Sequence, residues 1–192
     1  MTEEAFFVCD EKSLENAGYV KEAGIYELTI QSALYKTNQN TGSTGVQFKF
    51  ETSDKHTFQQ YVNLTYMKDG QVRLNNVRLL SSMLFILKMK DSGKVTVKKE
   101  EVDGKEVKNK YFIDLAGKKI KAFLNYREDG NFLEIVEFFD KNDLTATELK
   151  RGEVNSATHD KIVNELNKSK IDSLMQNSSK NESYTEDDEI EF

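Results

Sequence analysis

The sequence predicts a mainly β fold for this chain of 192 residues. Several segments alternate apolar and polar residues with a period of two, which is typical of strands with one buried face. Residues 73–90 and 158–175 instead repeat apolar residues at helical spacing. The last twelve residues, 181–192, contain six acidic residues and no basic one, so they cannot bury enough surface to form a core.

Three strands are predicted before the first helix. The first covers residues 25–35, the second follows a polar loop over 36–45, and the third follows a turn at 53–55. Their inward residues are predicted to be Leu28, Ile30, Leu34, Val46, Phe48, Phe50, Phe58, Val62 and Leu64. The same alternation places Tyr35, Lys49 and Tyr61 on the outward faces.

A helix over residues 73–90 follows, ended by Asp91-Ser92-Gly93. Residues 94–110 predict a lysine-rich hairpin that turns at Asp103-Gly104. A fourth strand after Gly117 would point Ile120, Ala122 and Leu124 inward, and a fifth would cover residues 131–139. The residues expected on the outward side of the fourth strand are Lys119, Lys121, Phe123 and Arg127.

Three strands, a helix and two strands form the element order of the OB-fold, a five-stranded barrel whose ligand face lies over strands two and three. The hairpin would be an insertion after the helix. The predicted boundaries are a domain over 1–150, a helical segment over 151–175 with Thr158 as the helix N-cap, and a linker and acidic tail over 176–192.

The composition excludes several classes of protein. Cys9 is the only cysteine, which excludes an internal disulfide and suits a reducing cytosol. With two histidines, the chain cannot build a Cys/His zinc cage. The sequence shows neither a signal peptide nor an apolar run long enough to span a membrane, so we expect a soluble cytoplasmic protein.

No motif indicates an enzyme, a cofactor or a metal. Gly117-Lys118 lacks both the earlier glycine and the following Ser/Thr of a phosphate-binding loop. His56 and His159 have no nucleophile nearby in the sequence. We therefore expect a binding protein without catalytic residues.

The charge is unevenly distributed. Residues 55–127 carry 16 basic and 7 acidic residues, whereas the segments on either side are both net acidic. A basic zone in a chain with an acidic tail is a plausible electrostatic footprint for nucleic acid.

Binding single strands without sequence preference requires cations for the phosphates and flat rings on which bases stack. Phe123 among Lys119, Lys121 and Arg127 offers both, and Tyr35, Lys49 and Tyr61 add to the set. The alternative is that these aromatic rings pack under the hairpin or the C-terminal helix. The hairpin lysines are interleaved with glutamates, so a solvated hairpin is the favoured interpretation for them.

The C-terminal residues combine acidic groups with an apolar anchor, and an acidic tail used only for solubility would not need the anchor. Asp187, Asp188, Ile190 and Phe192 match the C-terminal tip of bacterial single-stranded DNA-binding proteins, which reads Asp-Asp-Asp-Ile-Pro-Phe. Glu189 preserves the charge, and Glu191 replaces the proline. This resemblance implies a partner-binding tip formed by Asp187, Asp188, Glu189, Ile190 and Phe192.

Residues 18–150 also resemble a family of phage single-stranded DNA-binding proteins. The motifs that support this likeness are Gly24-Ile25-Tyr26, Leu115-Ala116-Gly117-Lys118-Lys119-Ile120, Val136-Glu137-Phe138-Phe139-Asp140 and Thr147-Glu148.

The resemblance implies a phage protein that coats single-stranded DNA during replication or recombination. Through its tail it would recruit a polymerase, helicase, primase, recombinase or nuclease. An RNA-binding OB-fold protein and a protein–protein adaptor remain open as alternatives, and so does a homodimer.

Overall fold

The computed structural model describes residues 18–37, 42–65, 71–102, 105–128, 130 and 132–181. It contains seven strands in chain order: β1 Gly24–Thr37, β2 Thr44–Thr52, β3 Thr57–Asn63, β4 Val95–Val102, β5 Lys105–Phe112, β6 Lys119–Tyr126 and β7 Leu133–Phe139. The helices of the described part are α1 Leu74–Ile86, α2 Ala146–Arg151 and α3 Ala157–Asn181, with a 3₁₀ turn at Ile113–Leu115. The predicted mainly β class is confirmed.

The sheet is antiparallel and organised around β1. On one side β1 pairs with β2, which in turn pairs with β3. On its other side, the first half of β1 pairs with β6 and its second half with β5. β4 pairs with β5, and β7 pairs with β6. Among the described residues β3 and β7 share no backbone ladder, so the sheet does not close into the barrel that the sequence predicted.

A β-bulge at Gln31 reverses the alternation along β1. Ile30 is opposite Phe50, but the register then shifts, so that Ala33 is opposite Phe48 and Tyr35 is opposite Val46. Opposed residues of an antiparallel pair share a face, and Val46 belongs to the core. The prediction that Tyr35 is outward is therefore wrong. Leu34 is buried as predicted, with 9% of its surface exposed, but it lies on the outer face of the sheet. An inserted residue exchanges the two faces of the strand beyond it.

The core lies between the inner sheet face and α1. Phe48 stacks on Phe50 with ring centroids 5.4 Å apart, and Phe50 stacks on Phe58 at 6.1 Å. Met83 from α1 is fully buried against this cluster. The inward positions predicted for β2 and β6 are confirmed, because Val46, Phe48, Phe50, Ile120, Ala122 and Leu124 are all buried.

Two C-terminal helices follow the sheet, and the sequence predicted only the second. Thr145 and Glu148 form a capping box that starts α2. Ser156 Oγ accepts a hydrogen bond from the His159 N–H at 3.0 Å, so Ser156 caps α3 in place of the predicted Thr158. α3 continues to Asn181, beyond the predicted end at residue 175.

Candidate nucleic-acid interface

One row of side chains crosses five strands on the outer face of the sheet. The register places Tyr61 opposite Gln47, Gln47 opposite Leu34, Leu34 opposite Tyr111, and Tyr111 opposite Thr96. Because opposed residues share a face, the rings of Tyr61 and Tyr111 lie on the same side of the sheet. We call this row and its flanking rows the tyrosine platform.

The flanking rows add positive charge to the tyrosine platform. On one side Gln59, Lys49 and Ser32 are aligned, and on the other side Asn63, Gly45 and Lys36. The hairpin contributes Lys98 opposite Asn109. The side chains of Lys36, Lys49 and Lys98 are exposed. These rows contain three lysines and no acidic residue, so their formal charge is positive.

Tyr61 is held in place by its surroundings. Its hydroxyl donates a hydrogen bond to the carbonyl oxygen of Lys36 at 3.3 Å. Its ring lies over Gly45, where an added Cβ would come within 2.7 Å of the ring Cζ and 2.5 Å of the Val62 carbonyl oxygen. Burial raises the pKa of the Tyr61 hydroxyl, and nearby Tyr35 raises it further, against a hydrogen bond with Ser43 that lowers it. Tyr61 therefore stays neutral at physiological pH.

Lysines of the hairpin lie over two tyrosine rings. The Lys98 ammonium is 5.2 Å from the centroid of Tyr111, and the Lys110 ammonium is 5.7 Å from the centroid of Tyr35. Both distances lie within the range of cation–π attraction. Only the Lys98–Tyr111 pair lies on the tyrosine platform, because Tyr35 and the opposed Lys110 lie on the other face of the sheet. The sequence predicted these hairpin lysines only as solvated charges. The period of two along β5 places Tyr111 and Asn109 on one face of the strand. That this face belongs to the same surface as Tyr61 becomes clear only from the pairing of β5 with β1.

Of the predicted DNA-binding residues, Lys49 and Tyr61 lie together on the tyrosine platform. Tyr35 is half-buried on the opposite face of β1 because of the bulge at Gln31. Lys119 is exposed and lies opposite Thr29, farther along the sheet. Arg127 is exposed and forms an ion pair with Glu134 at 3.1 Å.

The prediction that Phe123 is an exposed stacking ring is wrong. It lies on the outer side of β6 as expected, but only 8% of its surface is exposed, because α3 covers it. Phe123, Phe139 and Ile162 form a second apolar cluster, against which Ile25 and Leu166 pack. A buried ring cannot stack on a base, so Phe123 belongs to the attachment of α3.

Lys121 lies on the same covered side. Its ammonium donates to Asp143 Oδ1 at 2.8 Å, and His159 Nε2 lies 3.7 Å from the same oxygen. This ion pair engages the charge of Lys121, which makes it a poor phosphate ligand. The predicted partner-binding residues Asp187, Asp188, Glu189, Ile190 and Phe192 lie outside the described residues.

Within the part of the chain that the structure describes, no group of three or more His, Cys, Asp or Glu side chains could hold a metal ion. No helix there is both long and apolar enough to cross a bilayer. Comparison of the chain with family models gives no match, and comparison with curated proteins gives none either.

Proposed function

We propose that this protein binds single-stranded DNA without strong sequence preference, and that the strand lies across the tyrosine platform. The observation that carries the proposal is the shared face of Tyr61 and Tyr111, with Lys36, Lys49 and Lys98 beside them. Aromatic rings provide stacking surfaces for bases of any identity, and lysines compensate the phosphate charge.

The fold supports this choice of face. We assign β2 and β3 as strands two and three of an OB-fold, the strands over which such domains bind their ligands. β1 is long, bulged and paired with β2, β5 and β6, and α1 lies between β3 and the later strands. We infer an open variant of the OB-fold, with the β4–β5 hairpin inserted beside the binding face.

The proposal includes a biological setting. The protein would coat exposed strands during phage DNA replication or recombination in the host cytoplasm, with no catalytic activity of its own. Its C-terminal tip, Asp187 to Phe192, would recruit replication or recombination proteins. These parts rest on the sequence resemblance and on the acidic, apolar character of the tip.

The test is a titration of labelled oligo(dT), oligo(rU) and duplex DNA of equal length at two salt concentrations. We expect the tightest binding to oligo(dT), with an affinity that falls as salt rises because phosphate contacts release counterions. Tighter binding to oligo(rU) would assign the platform to RNA. Binding to none of the three would overturn the proposal and favour the protein–protein adaptor.

A further inference from the structure

A second site lies away from the tyrosine platform. A cleft of about 980 Å³ opens where the end of α1, strand β6, the turn after β7 and α2 meet. This volume is within the range of ligand-binding sites. Its floor contains Phe85, Ile86, Met89 and Leu149, and Phe85 is 49% exposed. The floor can therefore receive an apolar side chain.

The rim of this cleft is basic. Four exposed lysines surround the floor: Lys88, Lys90, Lys119 and Lys141. Among the described residues, none of them forms an ion pair. Two acidic residues, Glu27 and Asp140, also line the cleft, and the Asp140 carboxylate accepts the N–H groups of Asn142 and Leu144. The four exposed lysines outnumber these two acids, so the lining is net positive. A ligand of this cleft is expected to be anionic with an apolar end.

The backbone conformation of Lys88 supports a binding role for the basic rim. The hydrogen bonds from Lys88 N–H to the Phe85 carbonyl and from Met89 N–H to the Leu84 carbonyl end α1 in a Schellman motif. Lys88 occupies the left-handed position of this motif with φ +57°, where glycine is the usual residue. A lysine there is unfavourable for the backbone, and it places a cation on the rim of the cleft.

We propose that this cleft binds the acidic C-terminal residues of a second copy of the chain. Residues 186–192 read Glu-Asp-Asp-Glu-Ile-Glu-Phe, which supplies carboxylates for the rim and two apolar side chains for the floor. A nucleic-acid strand fits less well, because the floor is mainly aliphatic and bases need a series of flat rings. The inference is independent of nucleic-acid binding.

The length of α3 favours a second copy over the chain's own tail. α3 starts beside the cleft, where the Thr158 N–H bonds to Glu148, the neighbour of Leu149. A helix from Ala157 to Asn181 is about 36 Å long. Residues 182–192 span at most about 40 Å when fully extended. The tail would reach its own cleft only near its full extension, whereas the tail of a neighbour has no such restriction.

Such a contact joins different surfaces of the two molecules. The cleft lies at the start of α3, and the tail leaves from its end. A contact of this kind is heterologous, so it links copies into open chains unless the rotation closes a ring. Self-association should weaken with salt, because it depends on the attraction between the exposed rim lysines and the acidic groups of the tail sequence.

The experiment measures sedimentation velocity of the full-length protein over a concentration series. A cleft variant carries Lys88→Gly and Lys141→Ala, and a tail variant carries Ile190→Ala and Phe192→Ala. Glycine suits the backbone at position 88, so the cleft variant should keep its fold. We expect the wild type to associate and each variant to associate at least about tenfold more weakly. An equimolar mixture of the cleft variant and the tail variant should form a heterodimer, because the intact tail of the first can bind the intact cleft of the second.

A control variant, Lys94→Ala, removes an exposed lysine outside the cleft and should associate like the wild type. The proposal fails if the wild type remains monomeric, if either variant associates as strongly as the wild type, or if the mixture stays monomeric. It also fails if Lys94→Ala weakens association as much as the cleft variant. Thermal melting of each protein shows whether the fold is retained.

Discussion

The side-chain oxygen Oε1 of Gln60 on β3 accepts a hydrogen bond from the backbone N–H of Ile135 on β7 at 2.9 Å. Both groups are buried, and the bond connects the two strands that a closed barrel would pair by their backbones. A single side chain thus links the open edges of the sheet. It also satisfies a buried N–H that would otherwise be unpaired.

We therefore expect Gln60→Leu to destabilise the fold by about 1–3 kcal/mol, since the Ile135 N–H would lose its acceptor. Urea unfolding measures this change. The neighbouring Gln59→Leu is the matched control, because Gln59 is exposed, and it should change stability by no more than about 0.5 kcal/mol. Equal effects of the two substitutions would show that the bond between β3 and β7 does not stabilise the sheet.

Glu148 is predicted to make stability pH-dependent. Glu148 is 4% exposed, and its carboxylate accepts hydrogen bonds from the Thr145 N–H and hydroxyl, the Ser156 hydroxyl and the Thr158 N–H. Burial alone would raise the pKa of Glu148, but these hydrogen bonds lower it to about 2. A pKa lower in the folded than in the unfolded state stabilises the fold above the unfolded value of about 4.3, and this contribution is lost as pH falls toward 2.

The expected loss is about 2–3 kcal/mol between pH 5 and pH 2, and it is complete only below both pKa values. Urea unfolding at several pH values measures it. Glu148→Gln removes this titration while preserving the shape of the side chain, so it should be less stable at pH 7 and lose less stability on acidification. If the Glu148→Gln protein loses stability as steeply as the wild type, the acid sensitivity belongs to other groups.

Replacing Phe123 by alanine should lower the stability of the fold and leave DNA affinity unchanged. Removing a buried aromatic ring typically costs about 3–5 kcal/mol, and Phe123→Ala would leave a cavity between β6 and α3. Ile162→Ala, from the α3 side of the same cluster, should act in the same direction. Binding of oligo(dT) at a temperature where the variant stays folded checks the second half of the prediction. Loss of affinity with unchanged stability would restore Phe123 as a stacking ring.

Tyr61 should affect single-strand binding through its ring. Tyr61→Ala is expected to weaken oligo(dT) binding by about 1–3 kcal/mol, because one stacking surface is lost. Tyr61→Phe keeps the ring but removes the hydroxyl that donates to Lys36, so it should bind nearly as well as the wild type. Fluorescence titration and thermal melting separate the effects. Wild-type affinity in a folded Tyr61→Ala protein would remove Tyr61 from the platform.

The sequence by itself determined the local patterns. Alternation in β2, β3 and β6 predicted which residues face inward, and helical spacing predicted α1 and most of α3. The two antiparallel strands of the hairpin predicted over 94–110 are confirmed as β4 and β5, and its predicted turn at Asp103-Gly104 lies outside the described residues. These features follow from the repeat of two residues in a strand and 3.6 in a helix, which neighbouring residues alone establish.

The tertiary structure decided which outward residues are accessible. The bulge at Gln31 exchanged the faces of Leu34 and Tyr35, and α3 covered Phe123, although it is far away in the sequence. Pairing of β5 with β1 brought Tyr111 onto the same row as Tyr61. A local period shows on which side of a strand a residue lies. What covers that side depends on contacts between segments that are distant in the sequence, and local periodicity does not predict these contacts.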